Sequence, residues 1–218
     1  MTQTRPPAAP FFSAPAVVVG LCCLLLAAHG LRLLLPYTAE ANAFYWLALI
    51  PERLSLALKG GGRDAYGAGS LLVAVFGHTL LHGDWTHVIL NAGMLLVLGA
   101  PVARRQTALR FLAVFLLAAA GGAAAYFALR LPDGAPAIGA SGGVSGILAA
   151  AFLIMAGPRA GWPELVSRRF LQTSAAFLAL NLMIALMGPS LLGAGIAWEA
   201  HLGGYLVGAL VMAGFVRA

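Results

Sequence analysis

Charge is scarce in this 218-residue chain: 9% of the residues are Asp, Glu, Lys or Arg, against roughly 25% in ordinary soluble domains. Lysine is almost missing, with Lys59 alone beside twelve arginines; a bias of that kind fits a GC-rich bacterial genome. The two cysteines, Cys22 and Cys23, are adjacent inside an apolar run. They do not readily close a loop with each other, so a disulfide scaffold is excluded and the redox compartment stays open. No HExxH pattern and no pair of aspartates within an apolar run is present, which removes the usual signatures of a zinc protease and of an intramembrane aspartyl protease. Apolar residues do not alternate with polar ones at a period of two, so a transmembrane barrel is excluded as well.

What the chain has instead is apolar length: 61% of its residues are hydrophobic. Runs at about 16–35, 79–100, 109–129, 141–157, 170–188 and 197–216 each approach the ~20 residues that carry a helix across the hydrocarbon. The expectation is an all-α membrane protein of six transmembrane helices, with residues 1–15 a Pro/Ala-rich N-terminal tail and 16–218 one domain without internal repeats. The first run is too long, and its basic flank too poor, for a cleaved signal peptide. Between the first two runs, PERLSLALKGGGRDAYGAG predicts a short interfacial amphipathic helix up to Leu58 followed by a glycine hinge.

The net charge of +6 could suggest a nucleic-acid partner, but its distribution argues for membrane orientation. Arg5, Arg104, Arg105, Arg110, Arg159, Arg168, Arg169 and Arg217 fall on one side; Arg32, Arg53, Lys59, Arg63 and Arg130 fall on the other, mixed with acids. Eight against five, with both arginine clusters on the first side, predicts cytoplasmic N and C termini. Trp46, Trp85, Trp162 and Trp198 lie near run ends, as interfacial anchors do.

With that orientation three polar clusters meet at the outer ends of the second, fourth and sixth runs: HTLLHGDWTHVILN (His78, His82, His87, Asn91), GASG (Gly139 to Gly142) and AHLGGYLVG from His201. Polar groups inside a bilayer are costly and mark a pathway or a site. His78 and His82, and likewise His87 and Asn91, are four apart and share a helical face. Small-residue stripes on the fourth helix (Ser141, Ser145, with Gly142 and Gly146 beside them) and the sixth (His201, Gly204, Gly208) allow close packing. That packing would bring an imidazole to a hydroxyl. Serine is a weak nucleophile until a base takes its proton, and histidine is the usual base. Ser141 and His201 are the candidate pair. Oxyanion donors are available in the backbone N–H of Ser141 at the helix start, His87 and the Asn91 amide. Glu199 sits about 200° round the helix from His201 and should point elsewhere, Asp84 reads as a helix cap, and Asn181 reads as interhelical glue. The expectation is therefore a dyad.

These three motifs resemble those of the rhomboid family of intramembrane serine proteases: His-x3-His-x4-His-x3-Asn, Gly-x-Ser-Gly and Ala-His-x2-Gly-x3-Gly, in that order. The resemblance implies that Ser141 is the nucleophile and His201 the base and then acid, with His87 and Asn91 lining the oxyanion site. It implies supporting roles for His82 and His78, and for the glycines of the motifs, Gly139, Gly142, Gly204 and Gly208. It further implies transmembrane protein substrates, approached laterally past the fifth helix and cleaved near the outer face of a bacterial inner membrane, with no cofactor and no metal. Two features depart from some members: position 145, four after the nucleophile, is Ser rather than aromatic, and no Arg–Trp pair is visible in the first loop. The alternatives are a catalytically silent rhomboid-like protein that binds membrane helices, a branch specialised for C-terminal anchor segments, and a metal transporter built on the histidines. Transport would call for polar residues through the full membrane depth, whereas these crowd one side. His29 has no assigned partner.

Overall fold

The computed structural model describes residues 14–155, 161–192 and 195–216. Arg5, Arg159, Arg217 and the expected tail up to residue 13 lie outside the described residues. Within them the chain is helical: α1 (Ala16–Leu33), α2 (Tyr37–Leu47), α3 (Pro51–Leu58), α4 (Ala68–Gly77), α5 (Trp85–Ala103), α6 (Ala108–Arg130), α7 (Ser141–Met155), α8 (Arg168–Leu192) and α9 (Trp198–Phe215). Short 3-10 turns follow α4 at His78–Leu80 and precede α8 at Trp162–Val166. The one extended pairing among the described residues joins Leu49 to Ala137.

Local chemistry sets the helix starts. Asp84 caps α5 by accepting from the His87 N–H at 2.8 Å, Thr107 does the same for α6 through Arg110, and Ser167 for α8 through Phe170 at 3.1 Å. Each satisfies a donor that the first helical turn leaves free. Pro51 opens α3 at the position where a missing N–H costs nothing, and Gly60 and Gly61, with φ of 109° and 89°, turn the chain away after it. The expected short helix up to Leu58 and the glycine turn after it are thus both present.

Helices α1, α5, α6 and α8 (over Arg168–Met187) are long and apolar enough to cross a membrane; α7 and the Ala68–Leu80 stretch are shorter apolar helices. One difference from the sequence reading concerns the second run. Residues 68–80 form their own helix and 3-10 turn, the chain breaks over Leu81–Asp84, and α5 starts at Trp85 rather than near 79. His78 and His82 therefore do not share a helix face. The break is held by tertiary bonds: Arg32 of α1 donates to the His82 carbonyl at 2.9 Å while pairing with Glu40 of α2 at 2.7 Å.

The core is a layer of Leu25, Leu95, Phe111, Phe115, Ile147, Leu153 and Met212, all essentially inaccessible, whereas Leu90, Val97, Leu109 and Leu186 face outward. Apolar residues turned outward all round the helices are what lipid solvates. Cohesion between such helices then rests on close packing and polar ties rather than on the hydrophobic effect. Arg105 supplies one tie by donating to the Ile154 carbonyl near the end of α7 at 2.6 Å. Cys22 is buried and donates to the Ala92 carbonyl at 3.3 Å, while Cys23 is exposed.

Candidate active site

The site begins with an extended stretch leading into α7. Ala137 pairs with Leu49 in both directions (2.9 and 3.0 Å), the Gly139 N–H donates to the His78 carbonyl at 2.9 Å, and the Ala140 N–H reaches Nε2 of His82 at 3.4 Å. Three of the four residues before Ser141, namely Ala137, Gly139 and Ala140, are thereby pinned ahead of the helix start. Gly139 has φ of 119°, a left-handed value that suits glycine. A Cβ there would also stand 2.8 Å from Nε2 of His87, so the imidazole of His87 lies directly over this turn.

Small residues bring the second side chain in. A Cβ on Gly204 of α9 would collide with the carbonyl of Gly142, and one on Gly208 with the backbone of Gly146. Gly142 itself is 3.3 Å from the Ala200 carbonyl by the same measure. Helices α7 and α9 therefore cross backbone to backbone, as the small-residue stripes predict. At that crossing Nε2 of His201 lies 2.8 Å from Oγ of Ser141, within the reach required of a nucleophile and its base. Both residues are partly accessible.

On its other side the ring has a partner that sequence reasoning missed. Nδ1 of His201 is 2.6 Å from Oδ1 of Asn181 on α8. Asn181 does join two helices, as the expected interhelical tie would, but it does so at the imidazole. A signal was available: Phe170, Ser174, Phe177 and Asn181 recur at helical spacing, and all four face α9, where Ser174 shares a 2.7 Å hydrogen bond with Tyr205 and Phe177 stacks on its ring at 4.6 Å. Glu199 points away from the ring, as expected, and takes Nε of Arg130 at 2.6 Å.

Of the remaining motif residues, the three histidines reach Gly139 and Ala140. Asn91 is buried, and its amide donates to the His87 carbonyl one turn back at 2.9 Å; this uses one of its two amide hydrogens. The rings of His82 and His87 meet edge to face at 4.9 Å. His78 contributes its carbonyl to Gly139, while its imidazole turns back to the Ala74 carbonyl at 3.1 Å. Ser145 is buried in α7. His29 is buried with its edge toward Trp85 at 4.7 Å, and neither ring nitrogen has a hydrogen-bond partner among the described residues. In the first loop, Arg53 lies over Tyr45 (3.9 Å) and Tyr66 (4.2 Å) and 5.4 Å from Trp46. An Arg–Trp pair is thus present in space, although not adjacent in sequence. Among the described residues no three His, Cys, Asp or Glu side chains converge as metal ligands would.

The described residues thus define an all-helical membrane protein in which a serine hydroxyl meets an imidazole that is in turn bonded to an amide. A family model for the Rhomboid domain matches residues 69–218, from α4 through α9. The chain belongs to the rhomboid family, whose members are generally serine proteases acting on membrane proteins within the bilayer. No curated protein matches it.

Proposed function

We propose that this chain is an intramembrane serine endopeptidase that cleaves membrane-anchored proteins through Ser141 and His201. The observation that carries the reading is the 2.8 Å contact between Ser141 Oγ and His201 Nε2, in a chain of a family of generally proteolytic function. In the proposed reaction Oγ attacks the scissile carbonyl carbon as its proton passes to Nε2. The tetrahedral oxyanion is met by the Ser141 N–H, the Asn91 amide and His87. The C–N bond then breaks, and His201 returns the proton to the leaving amine. Water attacks the acyl-enzyme with His201 again taking a proton, which goes back to Oγ as the ester opens. No metal or cofactor enters these steps.

The same reading takes α1, α5, α6, α7, α8 and α9 as the six spans, with residues 16–218 as the protease domain. Both termini are cytoplasmic, and the site opens to the outer side of a bacterial inner membrane. The arginine distribution supports this orientation. Reporter fusions in the Arg104–Arg110 loop should report cytoplasm and fusions near Asp133 the outside; the reverse would turn the site inward.

The test is cleavage of a labelled single-span substrate. Ser141→Ala should abolish product while the protein stays folded, and chelator should leave wild-type turnover unchanged. Cleavage surviving the serine change, or vanishing with chelator, would overturn the mechanism. A folded wild type with no turnover on any single-span substrate would favour a helix-binding rhomboid-like protein.

A further inference from the structure

Over Arg168–Met187 helix α8 is the least buried of the four helices long and apolar enough to cross a membrane, yet it places one polar side chain against the catalytic candidates. Asn181 is itself buried. Its amide has two ends, and both are engaged: the nitrogen points to the Phe177 carbonyl one turn back at 3.4 Å, and the oxygen to Nδ1 of His201 at 2.6 Å. With the amide turned this way, Oδ1 is an acceptor and Nδ1 must be the donor. A neutral imidazole carries a single ring proton, so a proton on Nδ1 leaves the lone pair of Nε2 facing Ser141 Oγ, 2.8 Å away. That is the tautomer a general base requires.

We propose that Asn181 is a positioning residue for catalysis, fixing the tautomer and the aim of His201, so that the working unit is Ser141–His201–Asn181 and not a dyad. This rests on the Ser–His reading above. Asn181 touches neither substrate nor reacting atoms; it acts only through the ring. The helix tie is not its particular contribution, because Ser174 and Tyr205, with Phe177 stacked beside them, already join α8 to α9 about two turns away. What those residues lack is any bond to the imidazole. An amide oxygen also stabilises the imidazolium that forms when Oγ gives up its proton, and an asparagine does so without taking a proton itself. A carboxamide in this place recurs in other nucleophile–histidine enzymes.

The experiment compares wild type, Asn181→Leu, Asn181→Asp and Ser174→Ala, purified as full-length chains in detergent. Three readouts are taken: kcat and KM on a labelled single-span substrate, thermal unfolding, and 15N spectra of histidine-labelled protein, with the His201 signal assigned by its loss in His201→Ala. Asn181→Leu, apolar and of matching size, should lower kcat about 100-fold, short of the loss when a triad carboxylate gives the wrong tautomer, with KM within about twofold because no substrate contact is removed. Asn181→Asp keeps the acceptor and should recover most of that loss. Ser174→Ala, which weakens only the helix tie, should keep the wild-type kcat. In the spectra the His201 proton should sit on Nδ1 in wild type and move toward Nε2 in Asn181→Leu. An unchanged kcat in Asn181→Leu, an equal kcat loss in Ser174→Ala, or a wild-type ring protonated on Nε2 would overturn the proposal while leaving the Ser–His pair intact. If wild type neither cleaves substrate nor reacts with a fluorophosphonate, the Ser–His reading fails instead, and the spectra alone decide whether Asn181 holds the ring.

Discussion

Gly204 of α9 rests on the carbonyl of Gly142 of α7 so closely that no side-chain carbon fits between them. Ser141 precedes one of these glycines by one residue, and His201 precedes the other by three. The distance between nucleophile and base is therefore set by how near two backbones can come, and the absence of Cβ atoms fixes that separation.

Gly204→Val tests this directly. The branched side chain cannot be absorbed by a rotamer change because its obstacle is main chain, so α7 and α9 must part. The expected destabilisation is at the upper end of the ~1–3 kcal/mol typical of overpacking, or beyond it. Cleavage should be lost even below the melting temperature. Thermal unfolding in detergent beside a cleavage assay measures both; wild-type activity in a stable Gly204→Val protein would contradict the crossing described.

Asn91→Ala should act on turnover rather than on binding. Its amide is assigned to charge that develops only as the carbonyl is attacked, and removal of one such donor costs about 100-fold in kcat in serine proteases. Steady-state kinetics on a single-span substrate separate the terms. A rise in KM with kcat preserved would instead assign Asn91 to substrate binding.

Arg130→Leu addresses the α6–α9 tie. It leaves Glu199, whose side chain is only 3% exposed, without its 2.6 Å partner. Because Arg130 is 45% exposed, the loss should fall short of the ~3–5 kcal/mol that follows breaking a fully buried pair. The double variant Arg130→Leu, Glu199→Gln should recover part of the stability, read as a thermal shift. Equal melting temperatures for single variant and wild type would show that the pair contributes nothing.

The long helices were legible because lipid asks for continuous apolar length, and composition reports that directly. Their starts were less so. Residues 68–80 and the stretch after Trp85 are both apolar, and what separates them is tertiary: His82 turned toward Ala140 and Arg32 holding the His82 carbonyl. Helices α2 and α4 escaped a hydropathy reading because they are short, at 11 and 10 residues, whereas Pro51 and the three glycines after Lys59 announced α3 and its end. In the site, Ser141, His201 and the glycine stripes were readable because their spacing is helical and their residue types are unusual in lipid. Asn181 was not. One amide on a sparsely packed helix has no intrinsic face, and only the stripe it shares with Phe177 and Ser174, once docked on Tyr205, turns it toward the imidazole. The Arg53 cluster was hidden similarly, since Tyr45, Trp46 and Tyr66 reach it from separate segments.

The most direct measurement is covalent labelling by a fluorophosphonate probe in detergent, with the modified peptide identified by mass spectrometry. Wild type should carry the phosphonyl group on Ser141, Ser141→Ala should carry none, and His201→Ala should label far more slowly. A folded wild type that stays unlabelled, or a Ser141→Ala protein that labels as wild type does, would contradict the assignment of Ser141 as a nucleophile activated by His201.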